Sequence, residues 1–181
     1  REEVFELLLH LINHGKPGGR VAATAALSSF HTRPADELIL RLIDDQDPFV
    51  QAEALKQLRP RNVPGALSRL VTSVDHPHEA IRKAVQESLS EFNFKRFLAS
   101  YDLLDEDSLL NTGNLVKRLD PETIPTLAAE LRSPLRLRKL RGIRLASLLN
   151  LLPQVENEMI LLLTDTDHIV RSEAAQVLGA C

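Results

Sequence analysis

The 181-residue sequence has no tryptophan, one tyrosine, one methionine and one cysteine. With Cys181 alone, no disulfide can close within the chain and no cysteine cluster can hold a metal. So few thiols suit a reducing compartment, and a cytoplasmic location is the expectation. Aromatic residues make up 4% of the chain, a poor supply for stacking bases. Neither sign of charge dominates: 22 Lys and Arg stand against 25 Asp and Glu, for a net charge of −3. No global basic field therefore draws the molecule to nucleic acid or to an anionic membrane. No apolar run approaches the roughly 20 residues needed to span a bilayer. The period-two alternation that marks strands is missing as well.

The opening "REEVFELLLHLINHG" reads as helix and not as a secretion signal, because it starts with acids and offers no small-residue cleavage site. It begins without Met and inside a helical pattern, and Cys181 follows the last helical pattern directly. The expectation is a piece of a longer protein.

What the chain does contain is a repeat. "DDQDPFVQAEALKQL" at 44–58 and "TDTDHIVRSEAAQVL" at 164–178 are nearly the same phrase. Val50, Ala54, Leu55 and Leu58 stand at helical spacing in the first, and Val170, Ala174, Ala175 and Leu178 in the second. Asp45, Asp47 and Glu53 match Asp165, Asp167 and Glu173. A stride of thirty residues places further copies between and before them. Their leading apolar slots fall at 21, 50, 81, 110, 140 and 170, with Val21, Ala25 and Ala26 in the first copy and Leu140, Leu145 and Leu148 in the fifth.

A second apolar helix precedes each of these: Leu38, Ile39, Leu42 and Ile43; Leu67, Leu70 and Val71; Ile124, Leu127 and Leu131; Met159, Leu162 and Leu163. Turn signals such as "KPGG", "DDQDP" and "VDHPH" separate the two helices of a pair, and Asp47 before Pro48 reads as an N-cap followed by proline at the first helical position. One thirty-residue hairpin cannot bury its own apolar stripe, so successive hairpins must stack. The predicted fold is all-α: a single domain of about six hairpins with approximate units 1–30, 31–60, 61–92, 93–119, 120–151 and 152–181.

The pattern Asp-x-x-(Val/Ile)-Arg-x-x-Ala-x-x-x-Leu, carried by Asp167, Val170, Arg171, Ala174 and Leu178, resembles the HEAT-repeat family, especially the bacterial phycobilisome-lyase-like HEAT repeats. The resemblance implies a right-handed α-α superhelix whose second helices line a concave surface. It also implies a scaffold or adaptor that binds other proteins, since most of the family are not enzymes.

Catalytic and metal chemistry find little support. His10 and His14 stand four apart on a helix, a spacing that can serve a metal, but no third ligand follows. His78-Glu79 resembles one of the several His-Glu pairs by which HEAT-like deoxyhypusine hydroxylases hold two irons, and one pair cannot build such a site. "KPGGR" at 16–20 lacks the spacing and the Lys-Ser/Thr ending of a phosphate loop. No enzyme activity, cofactor or metal is expected.

The most unusual stretch is "LRSPLRLRKLRGIR" at 131–144, with Arg132, Arg136, Arg138, Lys139, Arg141 and Arg144 and not one acid. Arg141 is placed in the slot of Arg82 and Arg171. Two readings follow. In one, the run pairs internally with Asp102, Asp105, Glu106 and Asp107 of the acidic stretch "YDLLDEDS". In the other, Arg82, Arg138, Arg141, Arg144 and Arg171 bind a partner protein of acidic character. On the second reading, reversing Arg138 and Arg141 to Glu should weaken binding and leave melting unchanged. Two rivals stay open: a nucleic-acid-binding HEAT-like protein resembling alkylpurine DNA glycosylases, and a chromophore lyase. Nucleic acid is disfavoured by the net charge, and no membrane or small-molecule ligand is indicated.

Overall fold

The computed structural model describes residues 2–180; Arg1 and Cys181 lie outside the described residues. These residues form twelve α-helices and three short 3-10 turns, with no strand among them. The helices come in consecutive antiparallel pairs, as the repeat requires. The chain divides into two compact units, residues 1–90 and 91–181. The division falls within two residues of the expected start of the fourth hairpin at 93, and each unit is described by itself.

In the first unit the pairs are α1 (Glu2–His14) with α2 (Pro17–Ala26), α3 (Arg33–Leu42) with α4 (Pro48–Gln57), and α5 (Ala66–Thr72) with α6 (Glu79–Ser88). The second helices pack in order, α2 on α4 and α4 on α6. Ile39, Val50, Ala54, Leu58, Leu70, Ile81, Val85 and Leu89 form the buried interior. Arg61 locks the first two hairpins together. Its buried side chain donates to the carbonyls of Leu27 and Phe30, to Asp36 Oδ1 at 2.6 Å and to Gln57 Oε1 at 3.0 Å. Gln57 in turn gives an N–H to the carbonyl of Thr24 at 2.7 Å. These bonds tie α4 and the turn after it to the end of α2 and to α3.

In the second unit the pairs are α7 (Phe94–Ala99) with α8 (Glu106–Leu119), α9 (Thr123–Leu131) with α10 (Arg136–Leu148), and α11 (Glu156–Leu162) with α12 (His168–Gly179). Phe94, Phe97, Leu127, Leu131, Ile143, Leu145, Leu149, Met159 and Val170 lie in one continuous core. Here α10 packs on α12 and α9 on both α7 and α11, but α8 makes no comparably extended contact with α10.

One turn recurs between the helices of a pair. Asp47 N-caps α4 by accepting the N–H of Phe49, and Asp45 accepts the N–H of Asp47, each at 2.9 Å. Asp167 and Asp165 repeat both bonds ahead of α12, again at 2.9 Å. Ahead of α6 the imidazoles of His78 and His76 replace the two carboxylates, through Nδ1. Ahead of α10, Ser133 Oγ accepts the N–H of Leu135. Acceptors two residues apart thus fix where α4, α6 and α12 begin, and ahead of α10 the first of the two remains alone.

Counting from that turn corrects three registers. In α2 the buried slots belong to Ala23, Thr24 and Leu27; Val21 and Ala25 are half-buried and Ala26 is exposed. In α8 Leu109 is buried, whereas the predicted Leu110 is exposed. In α10 Gly142 takes the place of Ala54 and Ala174, and Ile143 and Ala146 are buried where Leu140 and Leu148 were expected. A Cβ at Gly142 would stand 2.9 Å from Leu131 Cδ2, so the close helix crossing is made with no side chain at all. Leu67 and Leu163, expected in the core, are exposed.

Candidate partner-binding cleft

The basic run lies along α10 and the turn before it. All six of its cations meet carboxylates within the second unit. Arg132 bonds Glu158, and Lys139 bonds Asp165. Arg136 stands 3.6 Å from Asp167, and Arg144 3.7 Å from Glu106. Arg138 and Arg141 share one acid. Glu130, 2% exposed, accepts Nε and Nη2 of Arg138 on Oε1 at 2.8 and 2.6 Å, and Nε and Nη2 of Arg141 on Oε2 at 2.9 and 2.5 Å. Arg141 also donates to the carbonyl of Leu98 at 3.2 Å, and its guanidinium lies 5.8 Å from the Tyr101 ring centroid. The planar fork of arginine suits such doubly bonded contacts.

The register shift explains this arrangement. Counted from its N-cap, α10 carries Lys139 in the slot of Arg82 and Arg171; Arg141 lies two residues further on. Arg82 and Arg171 do not point outward to a ligand. Each folds back on the turn before its own helix, Arg82 onto the carbonyls of His76 and Pro77 at 2.8 and 2.7 Å, and Arg171 onto those of Asp165 and Thr166 at 2.7 and 3.1 Å. Of the five arginines singled out in the sequence, Arg138, Arg141 and Arg144 are brought together, and Arg82 lies in the other unit.

The acidic stretch at 101–108 pairs with the run only through Glu106. Asp105 N-caps α8 by accepting the backbone N–H of Ser108 at 2.8 Å, and that bond, with the Ser108 hydroxyl, holds its carboxyl below the usual range. Asp102 has no ion-pair partner among the described residues.

Because α8 stands off from α10, a cleft of about 720 Å³ opens between the start of α8 and the faces of α10 and α12. Leu140, Ile143, Leu148 and Val177 supply apolar lining, and Arg138, Arg141, Arg144, Asp102, Glu106 and Glu173 supply the charge. Leu137 and Ile169 border it with 76% and 37% of their surface exposed. Both occupy the second residue after an N-cap, the slot that exposed Phe49 holds in α4 of the first unit. Exposed apolar side chains at one repeat position are not required for folding and mark a surface available for contact. Sequence reasoning missed Glu130, and it read Lys139 as part of the basic run while giving its repeat slot to Arg141. The Ser133-x-Leu135 turn, read as a degenerate Asp-x-Asp, carried the signal that would have found Lys139.

No cluster of three metal-binding side chains occurs among the described residues. The rings of His10 and His14 lie 4.9 Å apart. His78 is occupied as an N-cap, and Glu79 pairs with Lys83 at 2.7 Å. No helix of the described residues is long and apolar enough to cross a membrane.

No protein-family model matches the sequence, and no curated protein matches it. Among solved structures the chain is similar to an engineered protein, structural genomics target OR329. The TM-score is 0.35 and the identity 15%, over 97% of this chain and 78% of that one. The fold rests on the helix pairs themselves.

Proposed function

We propose that this chain is a non-catalytic helical-repeat scaffold of HEAT type that binds another protein along the second-helix cleft of residues 91–181. The observation that carries the reading is the pair Leu137 and Ile169, exposed at one repeat slot beside an apolar-lined cleft. A rigid stack supplies area and shape, and apolar groups ringed by charge are the anatomy of a protein-binding surface.

Charge pairing refines the partner. Arg138 and Arg141 are already held by Glu130, and Arg144 faces Glu106. Asp102 and Glu173 face the cleft without ion-pair partners among the described residues. This balance supports a partner with an apolar ridge and a basic edge more than the acidic partner suggested by the run alone. The same pairing leaves no uncompensated basic stripe along α10, which weighs against a phosphate backbone as the ligand.

The test is affinity capture with the full chain beside a Leu137→Asp/Ile169→Asp double variant, with captured proteins identified by mass spectrometry. A protein held by the parent chain and lost from the variant, at unchanged melting temperature, supports the cleft. An identical set from both removes it.

A further inference from the structure

The turn ahead of α6 holds its helix by a different chemistry from its counterparts. Ahead of α4 and α12, carboxylates accept the two backbone N–H groups. Ahead of α6, His76 Nδ1 accepts the N–H of His78 at 3.1 Å, and His78 Nδ1 accepts the N–H of Ala80 at 3.2 Å. A ring nitrogen that carries hydrogen has no lone pair left to accept with, so both imidazoles must be neutral with their proton on Nε2. An aspartate keeps its acceptor oxygens down to about pH 4, whereas an ordinary imidazole takes up its second proton near about pH 6.5.

The surroundings suit a turn without charge. Four residues past an N-cap, α2 sends Arg20 to Asp45 of the next turn, and α10 sends Lys139 to Asp165. The same slot of α4 holds Gln51, and the next turn offers His76 where the others offer aspartate. A charged slot goes with a charged turn and a neutral slot with a neutral one. One cation already lies against this turn: Arg82 donates to the carbonyls of His76 and Pro77. The acids of the turn and of the start of α6 are Asp75 and Glu79, and Glu79 is paired with Lys83. From the elements packed against α6, the turn before α4 brings Asp44, Asp45, which Arg20 holds, and Asp47, which caps α4. The body of α4 brings Glu53 and Lys56, paired with each other, and α5 brings Arg69. The ring that meets His78 is that of Phe49, edge to face with centroids 5.3 Å apart, and it carries no charge.

We infer that His76 and His78 form a pH-sensitive fastening of the third hairpin: protonation of either imidazole removes its acceptor and releases the first turn of α6. An imidazolium would also stand at the positive end of a helix and beside Arg82. The capped turn excludes the proton and the released turn accepts it. The fastening is therefore complete above the imidazole range and is lost as pH falls through that range. Nothing in this inference rests on the cleft of the second unit.

The test is hydrogen exchange on the full chain, read as protection factors at two amides of the first turn: Ala80, bonded to His78 Nδ1, and Arg82, bonded to the His78 carbonyl. Between about pH 7.5 and about pH 5.5 both should fall roughly tenfold, the weight of a lost cap. In the double variant His76→Asp/His78→Asp, which rebuilds the Asp-x-Asp turn, the fall should be less than about twofold. A variant with Gln in place of His10, His14, His31 and His168 should behave like the parent chain. The 15N chemical shifts of the parent's imidazoles need no variant, and at about pH 7.5 they should show the Nε2–H tautomer for both residues. An equal fall in the parent and in H76D/H78D overturns the inference, as does a fall abolished by removing the other four histidines. An Nδ1–H tautomer at His76 or His78 in the folded chain overturns it as well.

Discussion

Lys139 and Asp165 join two successive hairpins, and Asp165 does so with the oxygen left over from shaping its own turn. The Lys139 hydrogen bond, and then the N–H of Asp167, hold the Asp165 carboxyl below the usual carboxylate range. A carboxyl with a lowered folded pKa stabilises the fold fully above its unfolded value and loses that contribution as pH falls through the folded value. Asp165→Asn should therefore lower the denaturation midpoint near neutral pH. The gap to the parent chain should close below about pH 4, where aspartate ordinarily takes up its proton. Urea titrations at several pH values check this; a gap that persists at the lowest pH where the parent still folds contradicts it.

Reversal of Arg138 and Arg141 is not a neutral probe of binding, contrary to the expectation from sequence. Both hold Glu130, which is buried. R138E/R141E would leave that carboxylate beside two further acids with no cation. A buried charge stripped of its partners costs on the order of 3 kcal/mol. The double variant should melt well below the parent chain. Arg144→Glu, at a half-exposed site with a loose contact to Glu106, should change the melting temperature little. Thermal denaturation followed by circular dichroism distinguishes the two.

Arg61 offers a second stability test. Arg61→Met keeps much of the side-chain volume and removes the donors to Leu27, Phe30, Asp36 and Gln57. Hydrogen bonds that involve a charged group contribute about 1.5–3 kcal/mol each, and the Phe30 carbonyl and the Asp36 carboxylate would lose a donor. The expected loss is on the order of 3 kcal/mol, read from the urea midpoint. A loss under about 1 kcal/mol would mean that water replaces the guanidinium at no cost.

The close crossing at Ala54 allows no growth. Ala54→Leu should cost about 1–3 kcal/mol through overpacking. Gly142→Leu should do the same in the second unit, where the first added carbon already meets Leu131. Comparable melting of either variant and the parent chain would show that these crossings can widen.

The sequence made the helix pairs and their turns legible because each hairpin must present the same apolar spacing to its neighbours. Asp47 and Asp167 cap the helices they were expected to cap, and Val50, Ile81 and Val170 are buried as read. Register failed where the turn chemistry changed. Ser133 replaces aspartate ahead of α10, and Lys16 ahead of α2 provides no side-chain cap, so hydrophobic spacing alone shifted both by two residues. The candidate site was less legible for a different reason. Six cations in a row look like a surface for a ligand until their partners are known. Those partners, Glu130, Glu158, Asp165, Asp167 and Glu106, come from helices and turns that only folding brings beside α10. Glu130 carries no pattern that sets it apart from an ordinary exposed helix glutamate.

The pairs Arg20–Asp45, Arg132–Glu158 and Lys139–Asp165 span 25 or 26 residues each. Contacts this near in sequence give a low contact order, and chains of that kind close their contacts quickly. They also make the thirty-residue hairpin a module of the gene as much as of the protein. Deleting or duplicating one whole hairpin exchanges one neighbour for another that carries the same slots, so the length of such an array can change by internal duplication without a new fold having to be found.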